Sequence, residues 1–199
     1  MPTGTSKRGD DVRTHHFIFL ALILIGLLFL SGGQTQGNER ATETATFGAG
    51  CFWGVEATFQ HVKGVTDTMV GYMGGTMKNP TYEQVSTHRT GYSEVCQVTY
   101  DPALVSYERL VEVFFQTHNS KFFCVKDSGS YGQYGSVIYF HNAEQEKTAM
   151  AVRDKLLASW KFGGPITTAI IPAMEFKPAE DYHQHYAEKH HLASCAIAP

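Results

Sequence analysis

At 199 residues the chain suits one domain with a leader, and its formal charge of -3 offers no basic field for a phosphate backbone. With no Lys/Arg run and no RNA-binding signature, nucleic acid is set aside as a partner. The cysteines, Cys51, Cys96, Cys124 and Cys195, are too few for a disulfide scaffold and too scattered for a zinc pattern, which points to thiol chemistry more than to stapling.

Residues 1–16 are polar and carry Lys7, Arg8 and Arg13, after which Phe17 to Leu30 runs without a charge or a polar side chain. That run has the length of a signal-peptide core and falls short of the roughly 20 residues that span a bilayer comfortably. Entry into a secretory or export route, or membrane attachment through residues 17–30, is the expectation, and the absence of a clear A-x-A site leaves cleavage open. Gln34 to Thr44 reads as a polar linker. This division assigns residues 1–41 to the leader and linker and 42–199 to one folded domain ending in a tail that is expected to move.

Within the domain, Thr44 to Gly48 predicts a strand feeding the turn at Gly50-Cys51-Phe52-Trp53-Gly54. Apolar positions at Val55, Phe59 and Val62 predict a helix opening at Cys51 and ending near Lys63-Gly64. A cysteine at a helix start meets backbone N–H groups that favour the thiolate, the nucleophilic form. Its bland alternative is a buried small hydrophobe. Val65 to Tyr72 predicts a strand, Gly74-Gly75 a turn, and Asn79 to Glu83 a turn into a short helical or irregular piece.

Tyr92 to Tyr100 alternates as a strand with Glu94, Cys96 and Val98 on one face. A carboxylate on that face is costly to bury charged, so it lies at a sheet edge or has a function. Ser106 caps a helix that runs to about Thr117, and His118 to Gln133 reads as loop. Ser136 to His141 predicts a strand, Asn142 a cap for a helix over Ala143 to Ser159, and Ile166 to Pro172 a last strand. Phe176 to His191 carries His183, His185, His190 and His191 among acids and tyrosines. Strands and helices alternate irregularly, which suits an α+β fold: a two-layer sandwich with a mixed sheet and a ferredoxin-like core.

On residue chemistry alone, the candidate set is Cys51 as nucleophile, Glu94 as acid or base, and Tyr82 and Tyr134, in loops, as hydrogen-bond donors. A cysteine hydrolase would draw its base from His183 or His185. A metal site among the C-terminal histidines and Cys195 is disfavoured, because residues two apart on a helix point to different faces.

Gly50-Cys51-Phe52-Trp53-Gly54, Gly71-Tyr72-Met73-Gly74-Gly75, Pro80-Thr81-Tyr82-Glu83-Gln84-Val85 and Thr90-Gly91-Tyr92-Ser93-Glu94-Val95 resemble, in order, motifs of the A-type peptide methionine sulfoxide reductases. Gln133-Tyr134 and Ala179-Glu180-Asp181-Tyr182-His183-Gln184-His185-Tyr186 extend the resemblance to residues 44–190. It implies an oxidoreductase that reduces methionine-S-sulfoxide, free or in proteins, as repair after oxidation. In that reading the Cys51 thiolate attacks sulfur, Glu94 gives its proton to the departing oxygen, and Tyr82 and Tyr134 bind that oxygen. Phe52 and Trp53 would hold the methyl group, and Cys51 would be left as sulfenic acid.

Recycling by a thioredoxin-like dithiol is implied, with Cys195 of the tail as resolving cysteine; an incidental tail thiol is the alternative. Cys96 reads as core filler, and Cys124 stays open. No cofactor or metal is implied, and a monomer is expected. The resemblance breaks around one loop. An ungapped match leaves Gly129 at an acidic position, which Asp127 would restore for substrate binding only with a two-residue insertion. Tyr92 stands where a histidine is common, and Gly135 replaces the usual arginine. These departures keep a second reading open, a non-catalytic binding protein built on the same pocket.

Overall fold

Strand β1 (Glu43–Ala49) is the spine on which the other elements are laid, because it is buried from Ala45 to Ala49 and has a neighbour on each side. The computed structural model describes residues 41–117, 132–159 and 166–192, all within the second of two units, Met1–Glu39 and Arg40–Pro199. The expected leader at 17–30, Cys124, Asp127, Gly129 and Cys195 lie outside the described residues.

After β1 come α1 (Phe52–Gln60), β2 (Val65–Met73), α2 (Tyr82–Val85), β3 (Ser93–Tyr100), α3 (Tyr107–Thr117), β4 (Ser136–Phe140), α4 (Ala143–Ala158), β5 (Ala169–Pro172), β6 (Lys177–Pro178) and α5 (Tyr186–Lys189). The strands form a mixed sheet in the order β5-β4-β1-β3-β2-β6, antiparallel except where β5 runs parallel to β4. The protein is α+β, as the irregular alternation of elements leads one to expect.

Side-chain alternation sorts the sheet into two apolar clusters. Cys96, Val98 and Tyr100 of β3, Val70 and Tyr72 of β2 and Ile138 of β4 pack with Phe52, Val55 and Phe59 of α1, Leu110 and Phe114 of α3 and Ala149 and Val152 of α4. The alternate residues Met73, Val95, Val137 and Tyr139 form a second cluster with Ala169, Ile171, Ala173 and Phe176 against it. Phe47 ties three elements together, its ring 4.8 Å from Phe59 and 5.4 Å from Phe114 between centroids. Truncating such a ring costs about 3–5 kcal/mol.

Caps fall where the side chains put them. Asn142 Oδ1 accepts from Gln145 N at 2.9 Å, and Ser106 Oγ accepts from Arg109 N at 3.2 Å. Thr81 and Gln84 form a reciprocal capping box that turns Tyr82–Val85 into helix, so Tyr82 opens a helical turn and is not a loop residue. Helix α1 stops at Gln60 with His61 as its C-cap, short of Lys63-Gly64, and Lys63 instead makes an isolated bridge with Val65. Strand β5 begins at Ala169, three residues later than its hydrophobicity suggests. Strand β6 has no counterpart in the sequence pattern, since two residues cannot display a period.

Candidate active site

Gly50 makes the turn out of β1 with φ +86, a backbone region open to glycine, and so delivers Cys51 to the N-cap of α1. Cys51 is exposed, and its carbonyl accepts the first helical bonds from Gly54 N at 3.1 Å and Val55 N at 3.4 Å. The next donor, Phe52 N, is one of the orphan N–H groups of a helix start and needs an outside acceptor. Glu94 supplies it: Phe52 N donates to Glu94 Oε2 at 3.0 Å. Strand β3 lies between β1 and β2, so Glu94 sits in the sheet interior and the edge alternative is excluded.

Glu94 is 1% exposed. Burial pushes its carboxyl above the usual range, and the hydrogen bonds from Gln133 and Phe52 only partly offset this. Gln133 Nε2 donates to Glu94 Oε1 at 2.6 Å, while Glu94 N donates to Gln133 O at 2.8 Å. With Ser93 Oγ donating to Gly132 O at 2.9 Å, the turn before β4 is stitched to the start of β3. That stitching carries Tyr134 to the site, where its ring meets His88 edge-on at 5.9 Å. Burial, then the charges of Glu94, Tyr82 and Cys51, push the Tyr134 hydroxyl up to about 12, so the four groups share one electrostatic environment.

Tyr82 is fixed through its backbone: Tyr82 N donates to Glu180 Oε1 and Tyr72 Oη to Glu180 Oε2, both at 2.9 Å. Burial works against the Glu180 charge, but these bonds hold its carboxyl below the usual range. Phe52 is 1% exposed, with its ring 6.3 Å from Trp53 and 6.5 Å from Tyr82 between centroids. Trp53 stacks flat on Tyr186 at 3.8 Å.

The structure thus brings Cys51, Glu94, Tyr82, Tyr134, Phe52 and Trp53 to one place. Cys96 is fully buried, and burial pushes its thiol well up, in keeping with core filler. Tyr92 is absorbed by the framework, its hydroxyl donating to Met77 O at 2.7 Å. His183 does not stand as a base beside Cys51; its Nδ1 accepts the Trp53 indole N–H at 3.1 Å. His185 Nδ1 lies 2.6 Å from Gln60 Nε2. A cavity of about 900 Å³, lined by Gln60, His61, Asp67, His185 and Glu188 among others, includes none of the candidate catalytic groups. Sequence reasoning assigned no role to Gln133, Glu180 or Tyr186. Their motifs were visible, but their partners (Glu94, Tyr82 and Trp53) lie 39, 98 and 133 residues away.

A thiol at a helix start, a buried carboxyl next to it whose pKa is raised by burial, and two tyrosyl hydroxyls can carry out acid-assisted thiol attack on a group that loses oxygen. The chain belongs to the peptide methionine sulfoxide reductase family, whose sequence profile matches residues 43–199. It is accordingly an oxidoreductase that reduces methionine sulfoxide. The peptide methionine sulfoxide reductase MsrA of Methanoculleus marisnigri is 50% identical over 157 residues, covering 79% of this chain and 96% of the relative. That of Acidobacterium capsulatum is 46% identical, covering 77% and 98%. Among solved structures, methionine sulfoxide reductase A of Corynebacterium diphtheriae aligns with a TM-score of 0.66 at 34% identity, covering 84% of this chain and 87% of that one. Reduced Mxr1 of Saccharomyces cerevisiae aligns at 0.70 and 26%, covering 82% and 94%.

Proposed function

We propose that the chain reduces methionine-S-sulfoxide, free or in proteins, through a sulfenic acid on Cys51. The observation that carries this reading is the 3.0 Å bond from Phe52 N to Glu94 Oε2, which seats a buried acid one residue from the thiol. A sulfoxide oxygen leaves badly until it is protonated and hydrogen-bonded. The Cys51 thiolate attacks, Glu94 delivers its proton to the oxygen, and Tyr82 and Tyr134 donate hydrogen bonds to that oxygen. Phe52 and Trp53 form the wall for the methyl group. The sulfoxide is reduced to the thioether while Cys51 is oxidised to Cys–SOH, the oxygen passing from one sulfur to the other.

The sulfenic acid then condenses with the Cys195 thiol, releasing water and forming a disulfide, and a thioredoxin-like dithiol reduces it. The pairing of residues 1–41 as leader with 42–199 as catalytic domain and C-terminal tail supports an exported or membrane-attached protein that repairs oxidised proteins there. We assign it a ferredoxin-like, two-layer core and a monomeric state.

Single-turnover reduction of a methionyl-sulfoxide peptide under dithiothreitol tests the chemistry. Wild type is expected to yield the thioether and a trappable sulfenic acid on Cys51, and Cys51→Ser neither; product formation by Cys51→Ser overturns it. Cys195→Ser should keep the first turnover and lose thioredoxin-driven turnover. N-terminal sequencing of the mature protein, with membrane fractionation, tests the location.

A further inference from the structure

We propose that Gln133 is the positioning residue of the acid: its side-chain amide holds the Glu94 carboxyl in the bonding geometry of the carboxylate that proton delivery leaves behind, and so eases that delivery. The inference rests on the assignment of Glu94 as proton donor to the sulfoxide oxygen. Gln133 acts through Glu94 and on no atom of the substrate.

The bonds given to Glu94 are those of an ionised group. Phe52 N donates to Oε2 at 3.0 Å and Gln133 Nε2 donates to Oε1 at 2.6 Å, so each oxygen accepts from a protein N–H. A backbone N–H cannot accept, and the amide turns its donor end to the carboxyl, so neither partner takes the Glu94 proton. That proton is left for the pocket. Burial pulls the other way: Glu94 is 1% exposed and Gln133 2%, which favours the neutral acid. When Glu94 gives up its proton, one O–H bond breaks on the carboxyl and one forms on the sulfoxide oxygen, and a negative charge appears almost out of reach of solvent. Hydrogen bonds to a charged group are roughly twice as strong as neutral ones, so both bonds tighten as the proton leaves. Donors already in place at that moment cost no reorganisation.

The amide is held in place by backbone bonds. Glu94 N donates to Gln133 O at 2.8 Å and Ser93 Oγ to Gly132 O at 2.9 Å, and Gly132, with φ +76, makes the turn that permits both. Gln133 Oε1 is buried without a partner among the described residues, a cost that a side chain placed for packing alone would not carry. Facing Glu94 are Cys51 at the start of α1, Tyr72 on β2, Tyr82 on α2, Tyr134 on the turn before β4 and Cys96 on its own strand, while β1 presents Gly48. None of these is cationic. The Gln133 amide and the Phe52 N–H are what oppose burial.

In the full-length protein, Gln133→Met keeps the volume and the backbone bond and removes the donor. The Glu94 carboxyl is titrated by carbon-13 NMR of carboxyl-labelled glutamate, its signal assigned by loss in Glu94→Gln. Single-turnover reduction of a methionyl-sulfoxide peptide under dithiothreitol is followed over the same pH range. In Gln133→Met the Glu94 titration and the alkaline limb of the rate should both move to higher pH, while the rate on the acid side falls about tenfold or more, the equivalent of one hydrogen bond to a charged group. A lowered rate with an unmoved Glu94 titration marks a packing defect and overturns the proposal, as does a parental rate on the acid side. If Gln133→Met does not fold, Gln133→Asn, which keeps an amide but shortens its arm, is measured in the same way against the same outcomes. The NMR titration needs no turnover. A Glu94 signal that moves in a protein without reductase activity would therefore sink the assignment of Glu94 as sulfoxide acid and leave its hold by Gln133 standing.

Discussion

Glu94 shows what a single side chain carries here. Buried on an interior strand, it accepts from Phe52 N and Gln133 Nε2, yet burial dominates and keeps it protonated above the usual range. In the proposed reaction the protonated form acts, so the single-turnover rate should fall as pH rises through the elevated pKa. Glu94→Gln should slow that turnover about 10²–10⁴-fold, the range of general acid catalysis. The fold should hold, because Gln133 Oε1 is buried without a partner among the described residues and a turned Gln133 amide can accept from the new amide. Rapid-quench kinetics beside a urea curve check both halves. The strand alternation of Tyr92 to Tyr100 exposed this residue in the sequence, but its pairing with Gln133 depends on a turn 39 residues away.

At the scale of elements, the C-terminal segment is what frames the site. Gln184 behaves like an extra strand residue: Val70 N donates to its Oε1 and its Nε2 donates to Val70 O, each at 2.9 Å. Beside it β6 lies so close to β2 that a Cβ on Gly71 would run into the Lys177 carbonyl oxygen and the Phe176 ring. Gly71→Ala should therefore push β6 outward and cost about 1–3 kcal/mol. Because Glu180, His183 and Tyr186 follow β6, KM should rise as well; an unchanged urea midpoint and KM would show that β6 yields without disturbing them. None of this is periodic. The amphipathic helices and alternating strands were legible, whereas a two-residue strand and a side chain standing in for backbone leave no pattern.

For the molecule as a whole, stability against pH reflects buried groups of opposite sign. Burial lowers His141 and His183, so the unfolded chain takes their protons first and stability falls as pH drops below about 6.5. Burial raises Glu94 and Glu56, so the folded chain takes those protons first and stability is gained as pH falls through their elevated values towards 4.5. His141→Asn should flatten the loss on acidification, and Glu94→Gln should steepen it. Urea midpoints at about pH 7 and about pH 5.5 measure both, and slopes that move the other way would refute the assignment.

The sequence by itself determined the α+β class, the strand and helix that flank Cys51, the caps at Ser106 and Asn142, and the motif order that led to the reductase family. These are local signals, set by hydrophobic period, by capping side chains and by contiguous motifs. Tertiary structure alone decided that Glu94 lies inside the sheet with Gln133, that Glu180 fixes Tyr82, and that His183 serves Trp53 and is no hydrolase base. Each of those depends on a hydrogen bond between residues about 40 to 130 positions apart, and such a bond exists only once the strands are in register.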